Sequence, residues 1–194
     1  MGNVPSCTAW RPALPLAETE RRALLGLARR TIETSFPGDE NPPGLPAGDL
    51  TPALVAPLPC FVSLHSATGR LRGCIGCLSA DRPLHETVAR MAQRAAFHDP
   101  RFPALSPTEA PNVEIRISVL GEPKPLNSPE DLVIGRHGLV VSDGLSRGVL
   151  LAEVATEQSW SREEFLAQTC LKAGLDPASL ALYRVEFFDE ESFS

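Results

Sequence analysis

Several features that define common classes of protein are scarce in this sequence of 194 residues. Lys and Arg total 18 against 24 Asp and Glu, for a formal net charge of -6. This balance argues against nonspecific nucleic-acid binding, which depends on cationic side chains that neutralise phosphates. No apolar run is long enough to span a bilayer, and the N-terminal residues lack the basic, apolar and small-residue regions of a secretory signal. We therefore expect a cytoplasmic protein without membrane insertion.

Signatures of familiar active sites are also missing. There is no glycine-rich phosphate loop, no paired-carboxylate signature and no serine nucleophile elbow. Cys74 and Cys77 have CxxC spacing, but a structural zinc site needs four ligands, and no second CxxC or histidine pair accompanies them. We predict neither a metal nor a cofactor, and these absences leave open whether the chain is an enzyme. All five cysteines are expected to be reduced thiols.

Proline, in contrast, is abundant, with 19 residues gathered near 5–15, 37–59 and 100–129. Prolines at these densities predict long ordered connections between elements rather than a helical bundle. The hydrophobic fraction of 43% and the charged fraction of 22% are close to globular averages. A chain of this length and composition can bury one substantial core, so we expect no independent second domain.

The chain is organised around Phe61–Leu78, two apolar-alternating runs that meet at Thr68 and Gly69. Glycine supplies the positive φ of a tight turn, so we predict a β-hairpin with a loop of two or four residues. In that register Arg72 is opposite His65 and Cys74 is opposite Ser63. One face is then apolar, with Val62, Leu64, Leu71 and Ile75, and the other is polar, with Ser63, His65, Arg70, Arg72 and Cys74.

Cys74 is the reactive group of this polar face. Arg70 and Arg72 would stabilise its thiolate, which makes Cys74 a candidate catalytic nucleophile or a contact for an anion. Ser63, His65 and Arg72 are the candidate binding residues around it. Composition alone favours another role, because free cysteine is among the most buried residue types and often packs as an inert apolar side chain.

Further candidate residues lie outside the hairpin. A loop after the second helix places Asp99 and Arg101 near the face of Cys74, either as site residues or as an ion pair that fixes the loop. His137 lies between two glycines, where it is either a cleft residue next to a ligand or part of an ordinary turn. Glu157 is a weaker candidate, since a surface carboxylate is the commoner outcome.

The remaining elements alternate between helices and strands. Amphipathic periodicity predicts helices at 17–36 and 84–98, and a capping box of Ser161 and Glu164 starts another helix that ends at Gly174. A short final helix begins at Asp176-Pro177. Strands are predicted at 113–120, 138–142, 148–154 and 182–188, followed by a frayed acidic tail at 190–194. This pattern indicates an α+β fold of antiparallel sheets with flanking helices.

Several motifs resemble those of the AMMECR domain family, in the same order and over almost the whole chain. They are Leu71-Arg72-Gly73-Cys74-Ile75-Gly76, Ala95-Ala96-Phe97-His98-Asp99-Pro100-Arg101-Phe102, the strand Val113–Leu120, Gly135-Arg136-His137-Gly138-Leu139 and the pattern of Val154–Leu175. The chain departs from the family at Ala152-Glu153, where Pro-Gln is usual, at Ser159, where Gly is usual, and at Cys77, where the family has a hydroxyl or small residue.

The resemblance implies one AMMECR-type domain over residues 1–194. Within it we expect an extended arm at 1–15, where prolines occur with little periodicity, and a body at 16–194 of two lobes with a cleft between them. The resemblance assigns Asp99-Pro100-Arg101 to a family motif, which favours a structural role. In prokaryotes such proteins are known as AmmeMemoRadiSam system protein A, so the implied partners are a Memo-like protein and a radical S-adenosylmethionine protein. The name specifies partners and gives no reaction.

Three functional classes follow from these observations. The favoured hypothesis is a binding or adaptor subunit for those partners, because the catalytic set is incomplete. In that hypothesis the partner binds the face of Arg72 and Cys74, with Asp99, Arg101 and His137 lining the cleft. The second is an enzyme that uses Cys74 and Arg72 on an anionic small molecule or peptide. The third is a nucleic-acid-associated regulator, which the acidic charge balance places last.

Overall fold

The computed structural model describes residues 15–35, 42–79 and 81–194, so the extended arm predicted at 1–15 lies almost wholly outside the described residues. The chain divides into two compact units. The N-terminal unit contains the described residues up to Leu120 together with 191–194, and the C-terminal unit contains 121–190. Each unit combines antiparallel strands with helices, which confirms the predicted α+β class.

The N-terminal unit is a three-stranded antiparallel arrangement covered by helices on one face. Its strands are β1 (Cys60–His65), β2 (Leu71–Gly76) and β3 (Glu114–Leu120), in the order β2-β1-β3. The helices are α1 (Glu18–Thr34), α2 (Pro52–Val55) and α3 (Leu84–Phe97). Helix α3 packs on β1 and β2, while α1 packs on α3 and β3. Val62, Leu64 and Ile117 point to this helical layer and are fully buried.

The central hairpin confirms part of the predicted register. Ser63 is opposite Cys74, and Gly69 has the expected positive φ of 77°. The predicted pairing of Arg72 with His65 is wrong, because a bulge shifts the register and places His65 opposite Leu71. The loop therefore spans 66–70, and Leu71, predicted to be buried, is 40% exposed.

The C-terminal unit has its own core and helices. Its strands are β4 (Lys124–Pro125), β5 (His137–Ser142), β6 (Arg147–Leu150) and β7 (Arg184–Phe193), in the order β6-β5-β7-β4, and its helices are α4 (Ala152–Glu157) and α5 (Arg162–Lys172). Helix α5 packs on β5 and β6. The core is apolar and consists of Leu132, Leu139, Leu150, Ala155, Phe165 and Leu166. The predicted capping box is confirmed: Ser161 accepts from Glu164 N, and Glu164 accepts from Ser161 N.

Two predicted elements of this region are wrong. The strand expected at 148–154 ends at Leu150, because α4 begins at Ala152. The tail expected to fray at 190–194 instead continues β7 to Phe193. Glu191, which belongs to the N-terminal unit, is held there by the Leu16 amide at 2.8 Å and by Arg21 Nε at 2.7 Å. Charge alone suggested a solvated tail, whereas these contacts depend on the tertiary fold.

Ser159 offers a test of the backbone after α4. Its φ of 55° lies in the left-handed region, which costs an L-residue about 1–2 kcal/mol. We expect Ser159→Gly to raise the free energy of unfolding by about 0.5–1 kcal/mol, since the greater freedom of unfolded glycine offsets part of the relieved strain. Chemical denaturation measures this. Ser179→Gly, at a φ of -100°, is the control and should not stabilise; equal gains in both variants would contradict the strain argument.

Candidate functional site

A polar row crosses the three strands of the N-terminal unit. Cys74 on β2 is directly opposite Ser63 on β1, and Ser63 is directly opposite Arg116 on β3. Residues opposite one another in antiparallel strands project to the same face, so these three side chains are neighbours. The face is the one away from the buried Val62 and Leu64, because side chains alternate along a strand. We call Cys74, Ser63 and Arg116 the polar row.

Arg116 is the member of this row that the sequence did not single out. The alternation of residues 113–120 predicted only that Arg116 would lie on the solvated face of its strand. Which strand β3 pairs with, and in which register, is a tertiary property. The sequence did indicate the polar face of the hairpin and the alternation of β3. With the added assumption that β1 pairs with β3, these two signals could have placed Arg116 next to Ser63.

Asp99 and Arg101 hold the outer edge of β2 beside the polar row. Asp99 Oδ2 accepts from Cys74 N at 2.8 Å, while Arg101 Nη2 donates to Cys74 O at 3.0 Å. The two side chains also pair with each other, with Arg101 Nη2 2.7 Å from Asp99 Oδ2 and Nε 3.0 Å from Oδ1. Because Cys74 lies on the edge strand, these contacts satisfy backbone groups that a further strand would otherwise bind. The predicted proximity of both residues to Cys74 is confirmed.

The charges of this clamp are fixed at neutral pH. The hydrogen bond from Arg101 lowers the pKa of Asp99 far below its ordinary value, although burial opposes the shift; the amides of Cys74 and Arg101 lower it further. The pKa of Arg101 is raised, first by Asp99 and to a lesser degree by the Cys74 thiolate. Asp99 is therefore a poor general base, whereas the Arg101 guanidinium is close enough to Cys74 to favour its thiolate.

Arg72 contacts a different segment from the one predicted. Its Nε and Nη2 donate to Glu109 at 3.1 and 3.3 Å, and Nη1 donates to Pro103 O at 2.7 Å. The hydrogen bond from Arg72 lowers the pKa of Glu109 to about 2, with help from Ser106. The bulge in β2 directs Arg72 to this connection, which it ties down. His65 is half-buried beside Glu114 of β3, and Arg70 is exposed in the loop.

His137 belongs to the C-terminal unit, unlike the other predicted site residues. Its Nδ1 accepts from Val133 N at 3.1 Å, its Nε2 lies 3.6 Å from Asp189 Oδ1, and its ring centroid is 4.7 Å from that of Phe187. Burial lowers the pKa of His137, and the negative charge of Asp189 only partly offsets this. The imidazole is thus neutral and oriented at neutral pH. The cleft that we expected between two lobes stays a prediction.

Metal ligands do not converge in the described ranges, where no group of three or more His, Cys, Asp or Glu residues is placed to hold a metal ion. Cys77 follows β2 and donates its amide to Cys60 O at 3.0 Å, so it lies across from Cys60. Burial raises the pKa of Cys60 well above its ordinary value, as does the nearby Cys77. Cys77 lies just beyond the end of β2 at Gly76, so the expected projection of Cys74 and Cys77 to opposite faces of one straight strand stays a prediction.

Two further expectations concern membrane insertion and the candidate residue Glu157. Among the described residues no helix combines the length and apolar character needed to cross a bilayer. Glu157, considered above as a site residue, is exposed at the end of α4.

Comparison with known proteins identifies the class. The AMMECR1 family model matches residues 25–193, and the chain belongs to this family. A protein of Methanothermobacter thermautotrophicus is 42% identical over 84% of this chain and 86% of its own length. A protein of Methanosarcina mazei is 39% identical, with 84% of each chain covered. The crystal structure of an uncharacterized protein from Pyrococcus horikoshii matches with a TM-score of 0.77 at 36% identity, over 87% of this chain and 88% of that one.

Proposed function

We propose that this protein is a binding subunit that recognises its partner through the polar row and Arg101. The observation that supports this is the arrangement around Cys74: Arg101, from the segment after α3, donates to the Cys74 carbonyl oxygen, and Arg116 of β3 lies on the same face, on the far side of Ser63. Guanidinium groups in such an arrangement recognise carboxylate or phosphate groups with defined geometry. The target surface would therefore carry an anionic group, from a peptide or from a bound metabolite.

Binding is favoured over catalysis because the two candidate acid and base groups, Asp99 and His137, already contact other groups of the protein. The carboxylate of Asp99 accepts from two amides and from the Arg101 guanidinium, and its lowered pKa makes it a weak base. Both ring nitrogens of His137 face other groups of the C-terminal unit. Asp99 and Arg72 then act as positioning residues: Asp99 holds the backbone of Cys74, and Arg72 holds the connection at 103–109.

The identity of the partner is supported by the family resemblance rather than by the geometry. The prokaryotic branch of the family, AmmeMemoRadiSam system protein A, implies a Memo-like protein and a radical S-adenosylmethionine protein as partners. An acidic chain that contributes a small cationic surface suits such a subordinate role, since opposite charges across an interface steer association and fix its register.

Co-purification of the tagged protein from its own host tests this function. We expect Cys74→Ser and Arg116→Gln each to reduce recovery of a Memo-like or radical-enzyme partner at least tenfold, equivalent to about 1.4 kcal/mol of lost binding energy. Arg70→Gln is the matched control, because Arg70 is exposed in the same hairpin. Circular dichroism checks that all three variants fold. Equal recovery from the wild type and every variant would remove the polar row from consideration.

One observation favours a second candidate function, an enzyme with Cys74 as nucleophile. Arg101 lies beside the sulfur, where its charge stabilises the thiolate that a nucleophile requires. This hypothesis predicts a small molecule joined covalently to the wild type and absent from Cys74→Ser, which intact-protein mass spectrometry would detect. Loss of a protein partner from Cys74→Ser without any adduct on the wild type would favour the binding subunit.

A further inference from the structure

A cavity lies at the N-terminal end of α3, separate from the polar row. It has a volume of about 270 Å³ and is lined by the connection Pro42–Gly44 and by the side chains of Arg82, His85, Glu86 and Arg90. The two arginines outnumber the one carboxylate of the lining, Glu86, so the cavity has a positive potential that an anion would relieve. Nothing in the proposed function of the polar row uses this cavity.

His85 provides the evidence that this cavity binds a ligand. Its side chain lines the cavity, the residue is only 8% exposed, and its Nδ1 has no hydrogen-bond partner among the described residues. A buried polar atom without a partner costs about 1–3 kcal/mol, so native proteins rarely leave one unsatisfied without a reason. An imidazole Nδ1-H can donate to an oxygen of a bound anion, which would supply the missing contact.

The start of α3 adds backbone donors at the same place. The residue before the helix is Pro83, which provides no side-chain cap. Leu84 N donates to Ala56 O at 2.9 Å and Thr87 N donates to Pro83 O at 3.0 Å. The amides of His85 and Glu86 lie between these two. First-turn amides have no acceptor within their own helix, and the helix dipole favours negative charge at this end.

We propose that this cavity binds a small oxyanion, a single phosphate or carboxylate group of a metabolite. Arg90 supplies the half-buried positive charge, His85 donates from Nδ1, and the first-turn amides of α3 complete the site. Arg82 is more exposed, and its charge is already shared with Asp81, 3.7 Å away. The exposed carboxylate of Glu86 stands at the rim and repels a second negative group, so a monophosphate or monocarboxylate fits better than a polyphosphate.

Titration of the full chain with inorganic phosphate tests the site. Binding is monitored by NMR through the imidazole ¹⁵N signals of the four histidines. We expect phosphate to shift the His85 signals and leave those of His137 in place, with chloride at equal ionic strength as the salt control. Arg90→Gln should weaken phosphate binding at least tenfold. Arg94→Gln, an exposed arginine one turn later in α3, should keep it within twofold.

The outcomes separate the proposal from simpler explanations. Equal shifts with phosphate and chloride, or equal weakening by both arginine variants, would reduce the effect to general screening and overturn the site. Pyrophosphate that binds tenfold tighter than phosphate would overturn the role of Glu86 and the single-group ligand. Acetate in place of phosphate distinguishes the two kinds of oxyanion, and shifts of His85 with either one support the site.

Discussion

Replacing Asp99 with asparagine should lower the free energy of unfolding by about 3 kcal/mol. The buried carboxylate accepts from Cys74 N, from Arg101 N and from the Arg101 guanidinium, over distances between 2.7 and 3.1 Å. An amide side chain removes the charge that these donors share and directs an NH₂ group at one of them. Because Arg101 is half exposed, water can compensate part of its loss, which keeps the effect below that of a fully buried pair.

The same substitution should change how stability depends on pH. The folded protein holds the pKa of Asp99 below its ordinary value of 3.8, so the unfolded chain takes up the proton first. The stabilisation is therefore fully present above the ordinary pKa and is lost as the pH falls from there through the lowered pKa of the folded state. The difference between wild type and Asp99→Asn should be constant from pH 7 to 5 and shrink at lower pH.

Denaturant titrations at a series of pH values measure both effects. Asp81→Asn is the matched control, because Asp81 is an exposed carboxylate of the same unit, 3.7 Å from Arg82. Its expected effect is within about 0.5 kcal/mol. If Asp99→Asn unfolds at the same denaturant concentration as the wild type, the clamp on Cys74 contributes nothing to the fold, and Asp99 becomes available as a site residue.

Replacing Gly73 with alanine should lower the free energy of unfolding by a similar amount, about 3 kcal/mol. A Cβ atom at Gly73 would lie 2.2 Å from the carbonyl oxygen of Ala95, so β2 and α3 would have to separate. The obstructing atom belongs to the backbone of a helix and cannot rotate away. Since α3 packs on both strands of the hairpin, the displacement would spread to the position of Cys74 and Ser63.

Thermal denaturation of Gly73→Ala and of Gly48→Ala tests the argument. Gly48 has nothing within 4 Å of the place where its Cβ would stand, so alanine there should change the stability by less than about 0.5 kcal/mol. Equal melting temperatures for both variants would mean that α3 and β2 separate at little cost. In that case the glycine of the Leu71–Gly76 motif would need another explanation.

The hairpin shows which structural features can be predicted from local sequence patterns and which cannot. Alternation and the turn glycine predicted β1, β2 and the pair Ser63 and Cys74, because these depend on neighbours in the chain. The bulge that displaced His65 from Arg72 has no such signal. It is stabilised by the contacts of Arg72 with Glu109 and with Pro103 O, which are more than 30 residues away in sequence. A strand pattern alone could not contain that information.

Elements with strong start and stop signals were predicted well for the same reason. The capping box at Ser161 and Glu164, the helical spacing of apolar residues in α1 and the proline before α3 are signals carried by neighbouring residues, although the apolar stripe of α1 itself packs on α3 and β3. The boundary between β6 and α4 was missed because residues 148–154 are apolar enough for either structure. In the structure the Ala152 amide, at the start of α4, donates to Glu190 Oε2 at 2.6 Å, a contact between distant segments that the local pattern does not contain.

The sequence by itself determined the α+β class, the polar face of the central hairpin, the proximity of the Asp99 and Arg101 segment to Cys74 and, through its motifs, the family. Each of these depends on periodicity, turn chemistry or a motif read along the chain. Only the tertiary structure decided that Arg116 joins Cys74 and Ser63, that Arg72 ties down the 103–109 connection and that His85 lines a cavity with Arg90. Strand pairing and helix packing bring together side chains that are distant in the chain, and the free energy of those contacts, rather than any local preference, selects which side chains meet.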